Sequence, residues 1–285
     1  MKILILGSTG MIGHKIYQVL SRNKVLRLSN ISRSKLNNET VILDLRNLDK
    51  LRSAIQNIKP DVVVNAAGIL IKDSELRPLD SVQLNAVLPL TLSRLSKKLG
   101  FKLIQISTDC VFSGKSGPYS VSDVKDASCI YGRTKALGEV YDECNLTIRT
   151  SVIGPDLGSD GEELFTWFMN QSGQINGFSK SMWSGVTTLE LAKCIEYCIL
   201  NEIVGLNHLT SGTSISKYDL LNMMNQQCGK RLDINNVDEP INNKTLLAEN
   251  SFFYTKPQSY SRLIEKMIAD ICESKCYPHY NFHNI

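Results

Sequence analysis

The sequence predicts an α/β fold, a doubly wound parallel sheet with a smaller C-terminal lobe. Two observations carry this prediction. Short apolar runs alternate with helix-spaced segments through the first half of the chain. The runs are continuously apolar rather than alternating, as strands buried on both faces must be. Parallel strands need long crossovers, and here each crossover has the length and spacing of a helix.

Each element follows in order. Ile3, Leu4, Ile5 and Leu6 form the first run, closed by Gly7 and followed by helical spacing over residues 11–21. Residues 25–31 and 40–43 read as the second and third strands, and residues 48–58 as a helix. Pro60-Asp61 opens Val62-Val63-Val64, a buried strand, and residues 81–99 read as one helix stopped by Gly100. Residues 103–106 and 146–148 are predicted strands, with 127–144 mostly helical between them. Beyond Gly154 the rhythm loosens. Thr187 to Glu190 has the form of a capping box before a helix reaching about Leu200. Residues 205–209 read as a strand, and Ser216 caps a helix ending near Gly229. The expected division is a dinucleotide-binding domain over 1–153 and a substrate lobe over 154–285. Residues 178–204 or so are expected to return to the first domain.

Composition narrows the function. The 285 residues allow one large or two modest domains. A chain this long can bury a core without disulfide or metal staples. Net charge is only +4 and no basic run occurs, which argues against nucleic acid as a partner. No apolar stretch is long enough to span a membrane or form a signal-peptide core. Eight cysteines without such a leader read as reduced thiols, with Cys194 and Cys198 buried in a helix. The expected location is the cytoplasm.

The first turn, Gly7-Ser8-Thr9-Gly10-Met11-Ile12-Gly13, lies between a strand and a helix. Glycines there allow a tight turn, close approach of backbone to a pyrophosphate and close helix packing. The helix N-terminus supplies free N–H groups and partial positive charge. This is the expectation for a Rossmann-type dinucleotide site, although the spacing is G-x-x-G-x-x-G. Asp44, followed by Leu45, stands where a carboxylate would accept from an adenine amino group. Ala66, Ala67 and Gly68 give small residues at the sheet edge. After the second strand no acid appears to take a ribose 2′-hydroxyl, and Arg33 is suited to a 2′-phosphate. NADPH is therefore the expected cofactor, with NADH as the alternative.

Tyr131 and Lys135 sit one helical turn apart, after a strand ending in Ser107-Thr108-Asp109. Reduction of a ketone needs a proton donor at its oxygen. A phenol serves at neutral pH if a nearby cation lowers its pKa, and the Thr108 hydroxyl would orient the same carbonyl.

These motifs, with Asn65-Ala66-Ala67-Gly68 and Asn85, resemble the extended short-chain dehydrogenase/reductases. The stretches 106–114, 131–139 and Arg149-Thr150-Ser151 resemble the dTDP-4-dehydrorhamnose reductase branch. The resemblance implies that Tyr131 is the general acid. Lys135 would hold the nicotinamide ribose and depress the tyrosine pKa, Thr108 would be the family's Ser/Thr, and Asn85 would anchor a proton-relay water. It implies a nucleotide-sugar substrate, reduced at C4 of a 4-keto-6-deoxyhexose, and a homodimer as a possible assembly. Asp109, Cys110, Thr150, Ser151, Val152 and Trp183 would border that sugar. The branch has Tyr where Cys110 stands and Trp where Val152 stands. Losing two rings predicts a wider pocket, which suits a UDP-linked N-acetylated sugar as the alternative substrate. A non-catalytic NADP-binding regulatory subunit is the alternative of another class. Cys272, Cys276, His279 and His283 are metal-ligand types, but their spacing is not that of a usual zinc site, and no metal is expected.

Overall fold

The computed structural model describes residues 1–248 and 258–282. β1 (Lys2–Leu6) opens directly into α1 (Met11–Leu20), then β2 (Arg27–Ser32) and β3 (Val41–Ile42). α2 (Leu48–Ile58), β4 (Val62–Asn65), α3 (Ile71–Leu76) and α4 (Pro78–Ser81) come next. A π-helical turn at Val82–Val87 leads into α5 (Leu88–Leu99) and β5 (Lys102–Thr108). A 3-10 turn at Asp109–Val111, α6 (Ile130–Leu137), β6 (Leu146–Thr150) and β7 (Val152–Ile153) complete the first part. The remainder holds α7 (Leu164–Met169), β8 (Gln174–Phe178), β9 (Ser181–Trp183), β10 (Val186–Thr187), α8 (Thr188–Leu200) and β11 (Gly205–His208). Last come β12 (Ile215–Ser216), α9 (Lys217–Gln227), β13 (Asp233–Val237), β14 (Asn242–Asn243) and α10 (Tyr260–Glu273).

Seven parallel strands form the central sheet in the order β11-β6-β5-β4-β1-β2-β3. Side chains alternate across each strand, so the sheet feeds two cores. Ile3 and Ile5 of β1, with Val62, Val64 and Ile104, pack under α1 and α8. Leu4 and Leu6 face the other way, under α2 and α5. A third core, around Phe165, Phe168, Trp183, Leu220 and Ile264, lies in the C-terminal part. The chain comes back from there at β10, packs α8 on α1, and adds β11 to the sheet edge. Strand order reverses at β1, between β4 and β2, which opens a crevice at their carboxyl ends.

Several expected boundaries change for physical reasons. The single helix expected over 81–99 is broken by the π turn, because Pro89 has no N–H to bond the Asn85 carbonyl. The helix expected over 127–144 is confined to Ile130–Leu137. Gly138 closes it against Asn85, where a Cβ would lie 1.9 Å from the Asn85 carbonyl oxygen. Val140 then turns inward to bond the Thr147 hydroxyl. The capping box at Thr187 is half formed: its hydroxyl accepts from Glu190 N, while the Glu190 carboxylate accepts from Gln258. α3, α7 and the small strands after Gly154 are too short to show a period, whereas α10 carries a clear one, Leu263, Ile264, Met267, Ile268 and Ile271, that the sequence expectation omits. His283 lies outside the described residues. Among the described residues no group of three metal-ligating side chains converges.

Candidate active site

The glycine loop is shaped by what each Cβ would strike. Gly7 has φ +77°, and a Cβ there would lie 2.8 Å from Ala67 backbone. At Gly13 it would lie 2.1 Å from the Gly7 oxygen, so α1 sits directly on the turn. Gly10 differs: its Cβ would meet only the Gly7 oxygen, at an ordinary 3.5 Å. Nothing in the folded chain requires glycine at that position. The space over Gly10 and the uncapped first turn of α1, at Met11 and Ile12, is a cradle of the kind a pyrophosphate fills. The residues present fit a dinucleotide.

Around it the expected residues divide. Thr9 accepts from Ser34 at 3.2 Å, and exposed Arg33 follows β2 at the same edge. Arg46 takes Asp44 in a fork, 2.6 Å at the shortest, and also reaches Asp80 at 2.7 Å. That hydrogen bonding holds the Asp44 carboxyl down to about 2. Leu45 turns its side chain into the core at 5% exposure, so it offers the crevice no side chain. Ala66, Ala67 and Gly68 leave β4 beneath Gly7, as the small-residue run requires.

Thr108 ends β5, its hydroxyl accepting from Cys110 N at 3.1 Å and donating to Asp109 Oδ1 at 3.1 Å. Tyr131 lies in the first turn of α6, where the Thr108 hydroxyl acts on its phenol. Gly132 makes this possible, since a Cβ there would strike the Cys110 carbonyl oxygen at 2.1 Å. Burial pushes the phenol well above its ordinary range, with Cys110, Asp109 and Glu163 adding to it and the Thr108 bond opposing. Lys135 donates to the Ile106 carbonyl at 2.7 Å, and burial lowers its ammonium to about 8. Its side chain thus points at the sheet edge, and Thr108 is the group that opposes the rise of the tyrosine. Asn85, in the π turn, spends its amide on Ile69 N and O, at 2.9 and 3.0 Å, and on Thr134 at 3.3 Å.

The sugar-side set changes more. Asp109 is 8% exposed, and its carboxyl is raised by burial. Lys244 Nζ stands 3.6 Å from Cys110 Sγ. Burial pushes that thiol up to about 12. Thr150 is buried, and Ser151 Oγ accepts the Trp183 indole N–H at 2.8 Å. Trp183 is 5% exposed and packs in the third core beside Tyr260. Val152 pairs with Val186 and is half-buried, packing partly on the sheet core under α8. Cys110 thus has Lys244 for a neighbour, and Val152 packs partly on the sheet core.

Sequence reading assigned no role to the ion pair behind the site. Glu139 and Arg149 are both buried and meet at 2.7 Å. Ser107 donates to Glu139 at 2.7 Å, and Lys125 reaches it at 3.1 Å. Burial raises the Glu139 carboxyl, but Arg149, Ser107 and Lys125 together bring it below its ordinary value. Two opposite charges inside the motif stretches 131–139 and 149–151 were the available signal.

A family model, RmlD substrate binding domain, matches residues 1–269. The chain belongs to that family. A relative, the dTDP-4-dehydrorhamnose reductase of Shigella flexneri, is 26% identical over 230 residues, 77% of this chain and 75% of its own length. A solved dTDP-4-dehydrorhamnose reductase from Clostridium acetobutylicum superposes with a TM-score of 0.81 at 22% identity, over 95% of this chain and all of that one. A third, from Bacillus anthracis in complex with NADP, gives 0.81 at 19% identity, covering 94% of this chain and 99% of that one. At these identities the two structures speak for the fold of the family.

Proposed function

We propose that the chain is an NADPH-dependent reductase of the 4-keto group of a nucleotide-linked 4-keto-6-deoxyhexose, of the dTDP-4-dehydrorhamnose type. The observation that carries this reading is that Thr108, which ends β5, and Tyr131 and Lys135, one turn apart on α6, stand at the same sheet edge as the Gly10 cradle. Residues 1–153 would hold the cofactor and most of 154–285 the sugar nucleotide. NADPH, when bound, supplies the hydride to C4. Tyr131 gives its proton to the C4 oxygen as negative charge develops there. Thr108 donates to the same oxygen and then to the phenolate. Lys135 brings a cation to the Ile106 carbonyl, two residues before Thr108, at a cost in burial that its lowered pKa reflects. Arg33, at the end of β2 where no acid stands, supports the preference for a 2′-phosphate.

The dTDP-linked sugar is preferred over the UDP-linked N-acetylated alternative because relatives matched over most of the chain are dTDP-4-dehydrorhamnose reductases. The cytoplasm is the proposed location; among the described residues no helix is long and apolar enough to cross a membrane. A homodimer is the proposed assembly, supported by the exposed Leu76, Leu79 and Val82 around α4, and sedimentation would check it.

The test is NADPH oxidation with dTDP-4-dehydrorhamnose. Tyr131→Phe keeps the ring and removes the proton, so turnover should fall about 10²–10⁴-fold while NADPH still binds. Unchanged turnover would remove Tyr131 from the chemistry. A wild type inactive on every 4-keto sugar nucleotide would sink the reading.

A further inference from the structure

We propose that Lys244 and Lys217, two lysines of the C-terminal part, grip the diphosphate of the nucleotide-linked substrate. This rests on the reductase reading and names the side chains that would hold the substrate's anionic part.

The segment carrying Lys244 is firmly placed. β14 pairs with β9, Asn243 N donates to the Gly114 carbonyl at 2.8 Å, and Asn243 Nδ2 donates to the Gly117 carbonyl at 3.0 Å. Tyr119 exchanges backbone bonds with Thr245 and Leu247, both at 2.8 Å. Two glycines in the loop beneath make this approach possible. A Cβ at Gly117 would lie 2.0 Å from the Asn243 oxygen, and at Gly114, with φ +85°, 1.7 Å from the Asn242 side chain. The chain is thus strapped over the loop that follows the catalytic strand, with the Lys244 ammonium 3.6 Å from Cys110. Lys217 opens α9 directly after β12, a neighbour of β9 in the same small sheet. Both ammonium charges favour the ionised form of Asp109, the residue after Thr108, against the burial that raises its carboxyl.

Charge then argues for a ligand. Both side chains are half-buried, and among the described residues neither forms an ion pair with a carboxylate within 4.0 Å. Asp109, whose ionised form both lysines favour, is buried and already accepts from Thr108. Cations drawn partly out of water need an anion. Two of them, Lys244 against Cys110 and Lys217 at the start of α9, match the charge of a diphosphate, which Lys binds well as a point charge.

The experiment is calorimetric titration of the full chain with dTDP and with dTMP, with NADPH titrated in parallel. Lys244→Met and Lys217→Met should each weaken dTDP by about tenfold or more, the size of one charge-assisted contact. dTMP should lose less, NADPH affinity should hold within about twofold, and KM should rise more than kcat falls. Lys244→Arg, which keeps the charge, should retain most dTDP binding. If the Met variants fail to fold, Lys244→Gln and Lys217→Gln replace them. Unchanged dTDP affinity overturns the proposal, as does a parallel loss of dTDP and NADPH, which marks a structural strap. Binding is read without turnover, so a wild type that binds dTDP through these lysines but reduces no keto sugar sinks only the reductase reading.

Discussion

Replacing Arg149 with Met isolates what the buried ion pair behind the catalytic strand contributes. The guanidinium is 2% exposed and gives Glu139 two bonds, at 2.7 and 2.9 Å, while the Glu139 side chain is wholly buried. Removing one partner of such a pair leaves an uncompensated charge and costs about 3–5 kcal/mol. Ser107 and Lys125 still bond Glu139 afterwards, which places the loss near the lower end, about 3 kcal/mol. For a chain of this size that is roughly 5 °C in melting temperature. The pH dependence has a definite sign. In the wild type the Glu139 pKa lies below its unfolded value of 4.5, so its contribution is present above that pH and lost as pH falls. Without Arg149 burial dominates, the folded pKa rises above the unfolded one, and the penalty is relieved as pH falls. The gap between variant and wild type should therefore be widest near pH 8 and shrink towards pH 5. Urea melts across that range are the assay. A second variant, Glu139→Leu with Arg149→Met, removes both charges and should recover more than half of the loss, since apolar replacement of a whole pair is often neutral. A loss below about 1 kcal/mol, or one equal at pH 5 and pH 8, would refute the reasoning.

The two glycines of the first turn should separate binding from stability. Gly10→Ala should weaken NADPH with little change in melting temperature, whereas Gly13→Ala, whose methyl meets the Gly7 oxygen at 2.1 Å, should destabilise by about 1–3 kcal/mol or more. Equal effects on both readouts would refute the cradle at Gly10. Arg33→Ala should weaken NADPH roughly tenfold and leave NADH nearly untouched; titration of each cofactor decides it, and equal losses would make Arg33 structural. His14 is buried with Nδ1 donating to the Gly10 carbonyl at 2.9 Å and Nε2 accepting from Tyr277 at 2.7 Å, and burial lowers its pKa from 6.5 to about 4. The unfolded chain takes up that proton first, so stability should fall by up to about 3 kcal/mol as pH drops from 6.5 towards 4. His14→Gln should flatten that slope, and an unaltered slope would assign it to other groups.

The sequence by itself determined the parallel sheet, the glycine turn and the Thr108, Tyr131 and Lys135 set. Each is local: an apolar run, three glycines in seven residues, a phenol and an ammonium one turn apart, a hydroxyl at a strand end. Period and spacing encode such features directly, because the fold places them by their own element. What needed tertiary structure was every decision taken between distant segments. Pro89 breaks a helix at Asn85, but only the packing of Gly138 on that carbonyl shows why the break is kept. Val152 carries no mark of packing on the sheet core; its pairing with Val186 brings it there, half-buried. Lys244 stands in a stretch without periodicity, 134 residues from Cys110, and meets it because Gly114 and Gly117 let one backbone lie close on another. Such contacts depend on close packing between surfaces that are far apart in the chain, and close packing has no period to read.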